Sequence, residues 1–349
     1  MKIISIETGL KTIPLKTPFI TALRRVENVE FVRVCVRTDN GFTAIGEAPA
    51  TKAITGEDLE DILHFIEGVK NDLLSLNPQE ALQTLHKSTI GSSAKAALDM
   101  AFVSLLAQEK KQDLYQYLGG NTSSVLQTDI TVSFKDKDSM LQDSISYFES
   151  GMKILKVKLG SDISHAIEVS KEIAKRLPDA KLIIDANQAW SLEDSLKYID
   201  ALKDIKIELI EQPVAAEDIA SLKVITQKSH IPILADEAVF TLEDAKKVIE
   251  SNAADMINIK LMKCGGLTKA VEIIEYAKSK SVKCMLGSML EGPYSINAAL
   301  HLAMAYPQTI KYIDLDSPLL YKDLSDELEF SFFENEISFV TRDNKGVFQ

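Results

Sequence analysis

The sequence predicts an α/β protein: a (β/α)8-like barrel of the modified TIM kind, with an N-terminal α+β capping domain that the C-terminal tail completes. Three observations carry this. Apolar runs that close on an acid recur at Leu182–Asp185, Ile207–Glu211 and Ile231–Asp236, so the acids stand 26 (211 − 185) and 25 (236 − 211) residues apart. That interval fits one strand, one helix and two short loops. From Leu126 onward, strand-like and helix-like texture alternates through eight units, the requirement of such a barrel. The first ~120 residues show a different order, strands and then helices, as an α+β domain does.

In chain order, Met1–Thr8 alternates like a strand. Phe31-Val32-Arg33-Val34-Cys35-Val36-Arg37 alternates apolar and basic residues, as an antiparallel strand with one wet face would. Thr38-Asp39-Asn40-Gly41 is a hairpin signal, and a third strand runs from Phe42 to Glu47. Between the first two strands, Thr17–Arg25 fits neither period and reads as a long loop with a functional role. Residues 57–118 read as helical, with Leu118-Gly119-Gly120 as the stop. The barrel strands are expected at Gln127–Ser133, Ile154–Leu159, Lys181–Ala186, Lys206–Glu211, Pro232–Asp236, Met256–Leu261, Val282–Gly287 and Lys311–Leu315. The division is therefore 1–120 for the cap, 121–320 for the barrel and 321–349 for a segment returning to the cap.

Composition narrows the class. The chain has 349 residues, 46% hydrophobic and 26% charged, which suits an ordinary soluble globular protein. A formal charge of −12 argues against nucleic acid or an anionic membrane as a partner. There is no signal-peptide or bilayer-spanning run, so the expected address is the cytoplasm. Cys35, Cys264 and Cys284 are widely spaced and read as small buried apolar residues. The five histidines form no zinc-ligand pair.

Chemistry in such barrels gathers at the C-terminal strand ends. Strand two brings Lys156 and Lys158 there. Strands three, four and five bring Asp185, Glu211 and Asp236, and Asn187 shares the Asp185 face on an extended chain. Strand six brings Asn258 and Lys260. Strand seven brings Ser288 with Leu290 and Glu291 just beyond, and strand eight brings Asp314 and Asp316. Adjacent strands lie about 5 Å apart, so the three single acids can converge on one ion. All-oxygen ligation suits Mg2+. Strands two and six are opposite in a ring of eight, which sets Lys158 and Lys260 on either flank of that ion. Like charges and the ion should lower their pKa values, as a base requires. Lys156 has two readings, a substrate contact or a salt bridge to a rim acid. Two bases flanking a metal suit removal of a proton next to a carboxylate and its return on the other face, through a metal-stabilised enediolate. Asp314 and Asp316 would hold an ammonium at the substrate's far end.

These residues resemble the enolase superfamily, its muconate-lactonizing subgroup and, within that, the dipeptide epimerases of the L-Ala-D/L-Glu type. The likeness rests on Gly46-Glu47-Ala48-Pro49, Lys156-Val157-Lys158, Asp185-Ala186-Asn187, Glu211-Gln212-Pro213, Ala235-Asp236-Glu237, Asn258 to Gly266, and Asp314-Leu315-Asp316-Ser317-Pro318. Lysine bases beside Mg2+ are that superfamily's known chemistry. The resemblance implies Lys158 and Lys260 as acid/base groups, Asp185, Glu211 and Asp236 as Mg2+ ligands, and Thr131, Lys156 and Ser288 as substrate contacts. It implies that Arg24 meets a glutamate side chain; the bland reading of Arg24 is a solvated loop charge. Glu291, if it points inward, would disfavour acidic side chains. The expected partner is a small dipeptide, and the expected assembly a homo-oligomer. The rivals are an o-succinylbenzoate synthase or cycloisomerase of the same subgroup, and a non-catalytic binding protein on a barrel scaffold.

Overall fold

The computed structural model of the protein describes residues 1–20, 25–121, 125–323 and 325–340. The cap sheet is antiparallel in the order β1 (Ile3–Ile20), β2 (Arg25–Thr38), β3 (Thr43–Pro49). The expected hairpin lies between β2 and β3, with Gly41 at φ 87°, where a side chain would strain the turn. The expected loop at Thr17–Arg25 needs correction. Phe19 and Ile20 pair with Val26 and Arg25, after a register irregularity between Pro14 and Phe19. Two prolines, Pro14 and Pro18, remove ladder donors there, and the break in alternation hid the strand. Arg24 lies outside the described residues. Helices Leu59–Leu73, Pro78–Leu85, Ser92–Glu109 and Leu114–Tyr117 follow.

After β4 (Leu126–Gln127) come eight barrel strands: β5 (Ile130–Val132), β6 (Ile154–Lys158), β7 (Lys181–Asp185), β8 (Leu209–Glu211), β9 (Ile233–Ala235), β10 (Met256–Lys260), β11 (Lys283–Gly287) and β12 (Ile310–Asp314). They pair in sequence order, all parallel. The ring is drawn together where the Asp129 N–H donates to the Ile313 carbonyl, 3.2 Å away. The tail strand β14 (Glu336–Phe339) pairs with β4 on one side and with β13 (Phe330–Phe333) on the other, in a third sheet. The tail also touches the cap, through a Leu15–Tyr321 bridge and an Arg33–Glu327 ion pair of 2.6 Å.

Period-two alternation stacks the barrel interior in layers. The lower layer is apolar: Ile154, Ile183, Leu209, Leu234, Met256 and Met285, with Tyr312 against it. Two residues further along the same strands stand Lys156, Asp185, Glu211, Asp236, Asn258, Gly287 and Asp314. The apolar layer seals the barrel's floor, and the polar residues take the layer above it.

Cap and barrel interlock through acids. Glu47, fully buried on β3, accepts the N–H groups of Tyr294 and Ser295 at the start of helix Pro293–Ala305 and pairs with Arg33 at 2.7 Å. Asp99, in helix Ser92–Glu109, accepts the Thr268 N–H at the start of helix Leu267–Ser279. Both acids meet the positive end of a barrel helix. Within the cap, Gly46 lets β3 lie close against helix Ser92–Glu109, since a Cβ there would lie 1.8 Å from the Ala97 carbonyl oxygen.

Candidate active site

A pocket at the C-terminal strand ends is lined by Thr131, Lys158, Asp236, Lys260, Asp314 and Asp316, with Ser288 and Leu290 at its side. Strands β6 and β10 are four places apart in the eight-strand order, so Lys158 and Lys260 face one another across it. Both are almost fully buried, at 8% and 7% exposure. The cap closes the pocket with Phe19, Ala53 and Ile54. Phe19 belongs to the stretch singled out from the sequence; Ala53 and Ile54 carried no signal there.

The register sets Lys158 beside Asp185 and Asp185 beside Glu211, and Asp236 follows directly after β9. The three acids thus come from neighbouring strands. They are engaged by lysines. The Lys158 amine donates to Asp185 at 2.5 Å, and the Lys260 amine to Asp236 at 2.6 Å. The Lys156 amine lies 3.2, 2.7 and 2.6 Å from Asp185, Glu211 and Asp314. Lys156 is fully buried beneath the pocket and salt-bridged to these three acids. Asn187 departs from the expected extended chain: it sits at φ 45°, its N–H returning to Asp185 at 2.9 Å.

Burial would lower the Lys156 amine, yet Asp314, Glu211 and Asp185 raise it well above its ordinary value. Burial likewise opposes Lys260, but Asp236 raises it. For Lys260 the attraction of Asp236 at 2.6 Å outweighs repulsion from amines further off. Asp185 and Asp236 are held low against burial, Asp185 by Lys158 and Lys156, Asp236 by Lys260 and Lys263. Glu211 is pushed up to about 7 by burial and by Asp185.

The donor set fits a hard divalent cation. Beyond three carboxylates on adjacent strands, three buried oxygens have no hydrogen-bond partner among the described residues: Glu237 Oε2, Asn187 Oδ1 and Asn258 Oδ1. Such oxygens suit Mg2+, which takes oxygen ligands and keeps some of its waters. A second acid group lies on the other side of the barrel mouth, where one oxygen each of Asp129, Asp314 and Asp316 fall within 4.8 Å of one another.

At the far end, Asp316 accepts the Thr131 N–H at 2.8 Å, and the Ser288 hydroxyl donates to the Asp314 carbonyl at 3.3 Å. Leu290 packs on the cap residues Leu15, Val29 and Phe31 and on Tyr321. Glu291 does not line the pocket. It is buried beside helix Pro293–Ala305, accepts from the Met289 N–H and the Ser295 hydroxyl, and is pushed up to about 7 by burial. Its expected role against acidic side chains therefore has no geometric basis. Sequence reasoning missed Lys263, whose amine reaches the Asp236 carboxylate and carbonyl at 2.6 Å each. It stands one helical turn past Lys260, a spacing that could have marked it. Asp129 was missed as well, although it lies two residues before Thr131 on the same alternation.

Comparison with known proteins extends this geometry to a family. Residues 3–119 match the mandelate racemase / muconate lactonizing enzyme N-terminal domain, and residues 140–342 match the enolase C-terminal domain-like family. The chain belongs to the enolase superfamily. Within that superfamily it is an enzyme of the racemase and epimerase kind. It is 59% identical over 338 residues to an L-amino acid-D/L-Glu epimerase from Sulfurimonas denitrificans, covering 97% of this chain and 99% of that one. The substrate-liganded structure of the L-Ala-D/L-Glu epimerase from Bacillus subtilis superposes with a TM-score of 0.93 at 39% identity, covering 97% and 96% of the two chains. A dipeptide epimerase from Enterococcus faecalis, complexed with Mg and L-Leu-L-Tyr, superposes with a TM-score of 0.91 at 34% identity, covering 97% of each.

Proposed function

We propose that this enzyme is a Mg2+-dependent dipeptide epimerase that inverts the α-carbon of the second residue of L-Ala-Xaa dipeptides, L-Ala-L-Glu and L-Ala-D-Glu first among them. The observation that supports it is the pair of lysines, Lys158 and Lys260, on opposite strands of one pocket. One amine takes the α-proton from one face, and the other delivers a proton to the opposite face, so the centre inverts. Asp185, Glu211 and Asp236 are the residues to hold the metal. Bound there, Mg2+ would supply positive charge to the substrate carboxylate as its α-proton leaves. Asp314 and Asp316 bind the dipeptide ammonium. Side-chain choice falls to Phe19, Ala53 and Ile54, and to Arg24. Recycling of murein peptides in the cytoplasm is the setting, with the chain working as a homo-oligomer.

The test is proton exchange. L-Ala-L-Glu with enzyme and Mg2+ in D2O should lose its α-proton NMR signal together with optical purity. Silence across a panel of L-Ala-L-Xaa dipeptides overturns the reading. K158A and K260A should each abolish interconversion while one epimer still exchanges. Full activity in either variant overturns the two-base scheme.

A further inference from the structure

Asp129 is a carboxyl group with no stated task. It is 1% exposed, and neither of its side-chain oxygens has a hydrogen-bond partner. Its backbone is pinned on both sides. The Asp129 N–H donates to the Ile313 carbonyl at 3.2 Å, Asn335 of the tail donates to the Thr128 carbonyl at 2.7 Å, and Thr128 Oγ1 accepts the Leu315 N–H at 3.1 Å. The carboxyl is thereby aimed at β12, within 4.8 Å of Asp314 and Asp316.

The charged groups facing it are Asp314, Asp316 and Lys156, with Tyr147 beyond Asp316. Lys156 has three N–H donors, and three other acids surround it at 3.2 Å or less. Among the described residues no cation is left for Asp129. A buried carboxylate facing two others with no donor of its own is costly, and one proton shared among such groups relieves it.

We propose that Asp129 is a buried carboxylic acid that donates a hydrogen bond to Asp314, making it a positioning residue for the substrate's ammonium subsite. This rests on the dipeptide reading above. Burial and Asp314 push its carboxyl well above the usual range, which agrees. With Asp129 and Lys156 both donating to it, Asp314 is held in place and largely compensated. Asp316, whose oxygen takes a backbone N–H from Thr131, is left as the principal anion for the ammonium. Asp129 does not line the pocket itself and acts from behind it.

Two measurements decide this. D129A should raise the dipeptide KM about tenfold with kcat little changed, the size of one lost hydrogen bond at the subsite. D129N, which keeps a donor and an acceptor, should return KM to within about threefold of the parent enzyme. Equal damage in D129N and D129A, or a fall in kcat at constant KM, overturns the proposal. The infrared difference between the parent enzyme and D129N at about pH 8 should show a protonated-carboxyl C=O band, a readout that stands if D129A does not fold. Its absence while the parent enzyme still catalyses exchange overturns this inference alone; failure of exchange in the parent enzyme overturns the dipeptide reading instead.

Discussion

Gly287 shows how one missing side chain sets the spacing of the groups in the pocket. A Cβ there would sit 2.9 Å from Asn258 Oδ1 and 3.0 Å from Lys260 Cε. G287A should therefore displace the Lys260 amine and lower kcat by about tenfold to a hundredfold, with a smaller effect on KM, in steady-state epimerisation assays. Asp316 gives a pH signature. Burial and Asp314 push its carboxyl up to about 6. Below that pH it is protonated and loses its attraction for an ammonium; above it the charge is present. The dipeptide KM should rise as pH falls through about 6, and D316N should show a high KM with that step removed. The sequence identified Asp314 and Asp316 by alternation alone. It gave no means of telling which of the two stays free, because Lys156, the partner of Asp314, is 158 residues away in the chain.

Among elements, the cap is fastened by acids that satisfy barrel-helix N-termini. Removing the Glu47 carboxylate leaves the Tyr294 and Ser295 N–H groups and part of Arg33 without a partner. E47A should lower the unfolding free energy by about 2–3 kcal/mol, while E47Q, which keeps an acceptor, should lose about half as much; urea unfolding measures both. The motif Gly46-Glu47-Ala48-Pro49 was legible as a family mark, but its mechanical task was not. That task depends on a helix whose first turn lies some 250 residues later, at Tyr294 and Ser295. The barrel strands were read well because apolar runs bounded by acids and turns are local signals. The end of β1 was not, because two prolines break the period that reveals a strand.

For the whole molecule, the four site lysines and the acids around them form one charge network closed over by the cap. On the proposal that Asp185, Glu211 and Asp236 hold Mg2+, the ion would bind the folded state alone, since the unfolded chain scatters these three. At a hundredfold excess over its Kd the ion should add about 2.7 kcal/mol of stability. Thermal melts with and without Mg2+ should show this as a rise in Tm. The rise should shrink in E211Q, and an equal rise in that variant would place the ion elsewhere. No helix among the described residues is long and apolar enough to cross a membrane.

By itself the sequence determined the barrel and the residues at its mouth. Side chains alternate along a strand, and strand order in a parallel ring follows chain order, so position in the chain converts directly into position around the site. Only the tertiary structure decided the charge pairing. It surrounded Lys156 with acids, set Lys260 against Asp236, turned Glu291 away and left Asp129 without a donor among the described residues. Those outcomes depend on distances of a few ångströms between residues far apart in the chain, and periodicity carries no record of them.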